Sequence, residues 1–242
     1  MIKRLAAVVA SVLAAVSVAL VALPSQAAPD ASRWVKQVGT YDYLLTPDYD
    51  GVLPLSRVVG NSTIGLGTFD HLDGELILIG GTVYRVGTDG VPQTASLAVT
   101  SPFFQGVKFA PQSSVTVPAG TQCSELTPLV DSLMGTSDGV IAVRMTGTFS
   151  ALSMRSVPRQ ETPYPPLSEV VAQQTVFPFT NERATLVGFR TGNDAKGVGA
   201  PGLHLHGLTT DRSGGGHVLS CTVGSDLRLQ AMRTRGTQLF TN

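Results

Sequence analysis

Residues 201–219 read PGLHLHGLTTDRSGGGHVL, and the rest of the chain is interpreted outward from this stretch. Side chains alternate faces along an extended strand, so His204 and His206, two residues apart, project together. Asp211 to Gly216 has the composition of a turn. His217 then opens a second run, Val218-Leu219-Ser220, which reads as the returning strand. A hairpin of this kind brings three of the four histidines in the chain to one point. Neutral imidazole is a common ligand for zinc, and three protein ligands with exchangeable positions left over mark a catalytic rather than a structural site. The plainer alternative is three core or surface histidines that happen to cluster, and the scarcity of histidine elsewhere argues against it. All-nitrogen ligation also suits copper, iron and nickel, so the donor set alone does not choose the metal.

Around the hairpin the chain is rich in Gly, Pro and short β-branched runs. Thr82 to Val86, Val140 to Met145, Thr185 to Phe189 and His217 to Val223 read as strands bounded by turn residues. Leu76-Ile77-Leu78-Ile79 is continuous rather than alternating, which predicts a strand buried on both faces. Helix signals are few. Leu126, Leu129, Val130 and Leu133 place one helix between Cys123 and Met134, its regular part expected to start at Pro128 with Thr127 as cap. Leu167 to Gln174, after Pro165-Pro166, is a second. The expected fold class is α+β: β-rich, with two intimately packed lobes built on mixed and antiparallel sheets and few helices. The Pro-rich stretch from Ser156 to Pro166 sets the expected boundary, with an N-terminal lobe over 28–158 and a C-terminal lobe over 159–242 carrying the hairpin.

The first residues carry a different signal. Lys3 and Arg4 precede an apolar run from Leu5 to Leu23, followed by Pro24-Ser25-Gln26-Ala27 with small residues placed for a cut after Ala27. Residues 1–27 are therefore expected to be a signal peptide, and the mature chain to be exported, secreted or held in the cell envelope. A retained membrane anchor is the alternative. No later segment reads as a span, so no membrane partner is expected after cleavage. Lys and Arg balance Asp and Glu at seventeen each, without a basic block, which disfavours nucleic acid as a partner. Cys123 and Cys221 can pair in an oxidising compartment, but nothing in the sequence brings them within reach. Gly197 to Gly202 fits the literal dinucleotide fingerprint, yet Pro201 and the strand that follows deny it a helix.

A longer ordered set of motifs resembles the α-acetolactate decarboxylases. It runs through Gly65-Leu66-Gly67-Thr68-Phe69-Asp70, Leu72-Asp73-Gly74-Glu75, Gly147-Thr148-Phe149, Arg155-Ser156-Val157-Pro158 and Pro163-Tyr164-Pro165-Pro166-Leu167. It is densest in Leu186 to Arg190 and in the two halves of the hairpin. The resemblance implies a two-lobed, mainly β-sheet zinc enzyme, usually a homodimer, that converts 2-acetolactate to acetoin and carbon dioxide. It implies metal ligation by His204, His206 and His217, a glutamate at Glu75 reaching the metal site, and an arginine at Arg155 beside the substrate. Thr68, Leu72 and Val157 match pocket-lining positions. Members of the family generally carry a longer tail whose glutamate adds a carboxylate to the metal site. The last acidic residue here is Asp226, and no position matches that glutamate.

The residue types suit this chemistry. Loss of carbon dioxide from a β-keto acid leaves electrons that flow into the neighbouring ketone, and a metal stabilises the resulting enediolate as a Lewis acid. A positioned donor must then protonate one face. Arg155 lies two residues before Val157, so on a strand the two face the same way. By residue type alone Glu75 reads as an exposed carboxylate at a strand start, and only the family match gives it a role. Arg144 reads as structural, and His71 as a solvated or hydrogen-bonded surface histidine. A cupin-like metal oxygenase or isomerase also uses a His-x-His pair, but usually with its last histidine much farther on. An exported, non-catalytic metal-binding homologue is the reading from a different class.

Overall fold

The computed structural model of the chain describes residues 33–241. The expected signal peptide lies outside the described residues. Among the described residues no helix is long and apolar enough to cross a membrane.

Two sheets carry the fold. In the first, β15 (Gly236–Phe240) lies at one edge, followed by β1 (Trp34–Val38), β8 (Phe104–Val107), β3 (Ile64–Thr68), β4 (Glu75–Ile79), β5 (Thr82–Val86) and β6 (Pro92–Thr94). It is mixed, because β1 and β15 run parallel while the other pairs are antiparallel. The second sheet is antiparallel, in the order β11 (Thr175–Thr191), β12 (Gly202–Thr209), β13 (Gly215–Val223), β10 (Val140–Ser156), β14 (Arg228–Arg233) and β9 (Ser113–Thr116). Since β10 also pairs with β11, four of these strands close on themselves into a small barrel. A two-stranded ribbon joins β2 (Leu53–Pro54) and β7 (Thr100–Ser101). Among the described residues four α-helices complete the fold: α1 (Tyr41–Leu45), α2 (Leu55–Val58), α3 (Cys123–Met134) and α4 (Leu167–Ala172).

Leu66, Ile77 and Val86 of the first sheet meet Ala142, Val187, Phe189, Leu208 and Met232 of the second in one buried cluster. This shared core welds the two sheets, each fully buried Val, Leu or Phe contributing about 1.5–3 kcal/mol. Phe149, Leu152, Leu186, Leu205 and Val223 fill a second cluster, joined by Leu126 and Val130 of α3. Leu76 and Leu78 face a third with Leu55 and Val58 of α2. The continuous run in β4 is thus buried on both faces, as its lack of alternation predicts.

The second sheet takes β9 and β10 from before the Pro-rich stretch, with α3 packed on it, and β15, from after that stretch, returns to the first sheet. The Pro-rich stretch is a loop held against the molecule, its Gln160 N–H donating to the His71 carbonyl and its Pro165 carbonyl accepting from the Tyr49 hydroxyl. One expectation needs correction. The helix α3 starts at Cys123, ahead of Pro128. The Glu125 carboxylate accepts from the Gln122 N–H at 2.7 Å, and Cys123 is joined to Cys221 of β13. A cap and a covalent tether hold the first turn, and together they outweigh the one hydrogen bond that Pro128 forfeits.

Candidate active site

The hairpin forms as its sequence implies. His206 of β12 sits directly opposite His217 of β13, and His217 directly opposite Arg155 of β10. Opposed residues of antiparallel strands share a face, so His206, His217 and Arg155 form a row, with His204 one step along β12. Leu205 points the other way, into the barrel core. Gly216 permits the close approach of β13 to β10: its φ is +142°, and a Cβ there would lie 2.4 Å from the Arg155 carbonyl oxygen.

His217 Nδ1 lies 3.2 Å from His204 Nε2 and 3.2 Å from His206 Nε2. His206 Nδ1 is 2.9 Å from the Leu76 carbonyl oxygen. A carbonyl only accepts, so Nδ1 carries the proton and the Nε2 lone pair faces the cluster, the arrangement of an oriented metal-ligating histidine. Burial, the largest cause, with the nearby Arg155 charge, holds His204 down to about 3, and the same influences hold His206 and His217 well below the ordinary imidazole value. Three neutral imidazoles with convergent lone pairs fit a divalent transition metal by donor chemistry. His204 Nδ1 is buried without a hydrogen-bond partner among the described residues.

From the facing sheet, Glu75 at the start of β4 brings its carboxylate to the same place. Oε2 lies 3.4 Å from His206 Nε2, and Oε1 accepts from the Arg155 guanidinium. Burial pushes the Glu75 carboxyl up, and Arg155 pulls it partly back. Glu75 is only 4% exposed, so the exposed position suggested by residue type is overturned. Arg155 Nε is also buried and unpartnered among the described residues.

These groups open into a cavity of about 350 Å³. Thr68, Leu72, Glu75, Arg155, Val157, His204, His206 and His217 all line it, so every site residue inferred from sequence comes to one place. Thr68 is opposite Glu75 in the β3–β4 pair, and its hydroxyl donates to the Gly74 carbonyl. The sequence reading missed Tyr41, Leu44, Phe103, Leu167 and Val171, which supply much of the apolar wall. Their types are those of ordinary core residues, so nothing in composition or spacing marked them. Arg144 is structural as expected, bonding Gln230 and stacking on Phe109. Gly202 opens β12 directly, leaving the glycine-rich stretch before it without a following helix.

Comparison with known proteins agrees with this geometry. The profile of the family described as alpha-acetolactate decarboxylase matches residues 35–241. The chain is 43% identical over 190 residues to an alpha-acetolactate decarboxylase of Methanosarcina mazei, the match covering 78% of this chain and 66% of that one. It is 35% identical to the corresponding protein of Brevibacillus brevis, covering 81% of this chain and 70% of that one. The crystal structure of alpha-acetolactate decarboxylase from Bacillus subtilis strain 168 superposes with a TM-score of 0.81 at 33% identity, covering 86% of this chain and 88% of that one. The match spans the seven-stranded sheet, the barrel and the histidine hairpin alike, and the chain belongs to the alpha-acetolactate decarboxylase family.

Proposed function

We propose that this protein decarboxylates 2-acetolactate to acetoin and carbon dioxide, using a divalent ion, zinc in the first instance, held by His204, His206 and His217. The observation that carries the reading is the meeting of three imidazole nitrogens with Glu75 and Arg155 in one cavity. When bound, the ion supplies the Lewis acidity that stabilises the enediolate left by loss of carbon dioxide. The chain supplies the rest. Arg155, with buried donors beyond the one given to Glu75, holds the substrate carboxylate and the developing oxyanion. Glu75, whose carboxyl holds its proton to higher pH than an exposed glutamate, delivers that proton to the carbon that carboxylate leaves. Leu72 and Val157 pack the alkyl groups and exclude water.

The test is acetoin release from racemic acetolactate by the purified protein, read beside metal content. We expect about one ion per chain in the wild type, and loss of both metal and activity in His204→Ala and His217→Ala. Full metal occupancy in both variants would remove the triad. Metal binding without acetoin would favour the non-catalytic reading.

We further infer that the protein is exported and dimeric. Export is supported by the order of residues 1–27 and by the Cys123–Cys221 disulfide, which belongs to an oxidising compartment; N-terminal sequencing of secreted protein should begin near Ala28. The homodimer is supported by β15, an uncharged edge strand whose Leu239 is 41% exposed, with Trp34 of the adjoining β1 40% exposed. Sedimentation at a monomer mass would remove it.

A further inference from the structure

His71 and Tyr164 take no part in the chemistry above and do not line the cavity, yet they meet next to chain segments that do. His71 and Leu72 are consecutive non-glycine residues with φ of 62° and 54°, a left-handed conformation that costs about 1–2 kcal/mol per residue. Such a pair persists only where its surroundings over-determine it. The backbone of His71 is tied on both sides, its N–H donating to the Tyr49 carbonyl and its carbonyl accepting from the Gln160 N–H, each at 2.8 Å. Its side chain is tied as well. The Tyr164 hydroxyl lies 2.7 Å from His71 Nδ1 and 2.5 Å from Asp50 Oδ1, while Nε2 faces Asp70 at 3.3 Å. The hydroxyl has one proton; given to the Asp50 carboxylate, it leaves the oxygen to accept from His71 Nδ1–H. Burial and the bond to Asp50 hold the Tyr164 phenol protonated, pushed above its ordinary value. Asp50, Asp70 and His71 also offer ligand atoms within 4.8 Å of one another, but the Tyr164 hydroxyl already bridges two of them.

Both ends of this contact lead to residues that line the cavity: Leu72, next to His71, and Leu167, three residues after Tyr164, with Val171 of the same helix α4. Tyr164 packs on Tyr49 at 5.0 Å between ring centroids, and Tyr49 bonds the Pro165 carbonyl, so the segment leading into α4 is fixed beside the clasp.

We propose that Tyr164 and His71 are positioning residues, a clasp that joins the Leu72 turn to the α4 segment and thereby sets how closely the cavity walls hold the substrate. The proposal rests on the decarboxylase reading of the cavity. Tyr164→Phe removes only the hydroxyl. His71→Asn keeps a residue that tolerates the left-handed conformation but is too short to reach Tyr164. In both, KM for acetolactate should rise about three- to tenfold, the scale of one neutral hydrogen bond, with kcat within about twofold and metal content unchanged. Hydrogen exchange across residues 69–74 should quicken in Tyr164→Phe. An unchanged KM in either variant, or a fall in kcat as large as the fall in kcat/KM, would overturn the clasp. Failure of the wild type to release acetoin would instead defeat the decarboxylase reading. Exchange would then decide the clasp alone, and unchanged exchange over 69–74 would overturn it.

Discussion

Arg155 and Glu75 show how far individual residues can be read before a fold is known. The histidines announce themselves, because His-x-His on a strand and a third histidine after a glycine turn have few other uses. Arg155 and Glu75 lie eighty positions apart, on facing sheets, and no local pattern links them. Only the family match paired them with the metal site. The Leu76 carbonyl that fixes the His206 tautomer is less legible still, since every residue has a carbonyl and only packing of β4 against β12 selects this one. The roles proposed for the pair have distinct consequences. Arg155→Lys keeps the charge but loses the planar fork of donors, and acetoin formation should fall by about 10²-fold, the scale of losing one preorganised donor. Glu75→Gln keeps the size and removes the exchangeable proton, so activity should fall while the three histidines retain the metal. Near-wild-type rates in both variants, measured beside metal content, would take these residues out of the mechanism.

At the scale of elements, the short strands were legible and the long ones were not. Thr82–Val86 matches β5 end to end, because turns bound it closely. Of β11 the sequence marks only Thr185 to Phe189 as strand, although the strand begins at Thr175. Its first half carries Pro178 and Asn181 and pairs only with β10, and a free edge tolerates both residues. In β10 one register shift against β13, between Phe149 and Ala151, breaks the alternation that would have announced one continuous strand; the second shift puts its extra residue in β13. Closure of β10, β11, β12 and β13 into a barrel depends on these long strands, and so it was out of reach. The same strands set the metal site through one tight crossing. Gly216→Ala would place a methyl group against the Arg155 carbonyl oxygen, backbone that cannot step aside. Gly202→Ala has comparable backbone strain, with φ of +76°, but open space around the new methyl. Gly202→Ala should cost about 1 kcal/mol of stability with little change in metal affinity. Gly216→Ala should cost more, about 2–4 kcal/mol, and weaken binding of the proposed metal by shifting His217. Denaturant melts and zinc titrations of the two variants compare them directly, and equal effects would mean that the β13–β10 approach does not control the site.

For the molecule as a whole, the candidate metal site is a set of proton-binding groups that folding has dried out, and this fixes how stability must respond to pH. In the unfolded chain each of the three histidines takes a proton near pH 6.5. In the folded protein burial keeps them neutral to far lower pH, to about 3 for His204. Between those limits the unfolded state binds more protons than the folded one, so stability rises with pH and is lost as pH falls below about 6.5. Glu75 acts in the opposite sense. Its carboxyl is raised when folded, so above pH 4.5 the folded state is the one that holds the extra proton, and its contribution declines as pH rises through that window. Three groups oppose one, and the net effect is acid lability of the metal-free protein. Bound metal deepens the dependence, because the same protons compete for the same nitrogens. The metal-stripped wild type should therefore lose Tm steadily from pH 7.5 to 5. A His204→Gln, His206→Gln, His217→Gln variant, whose amides do not titrate, should lose markedly less over the same range. Parallel Tm profiles in the two proteins would show that the histidines are not held neutral by folding, and the preorganised three-nitrogen site would lose its physical basis.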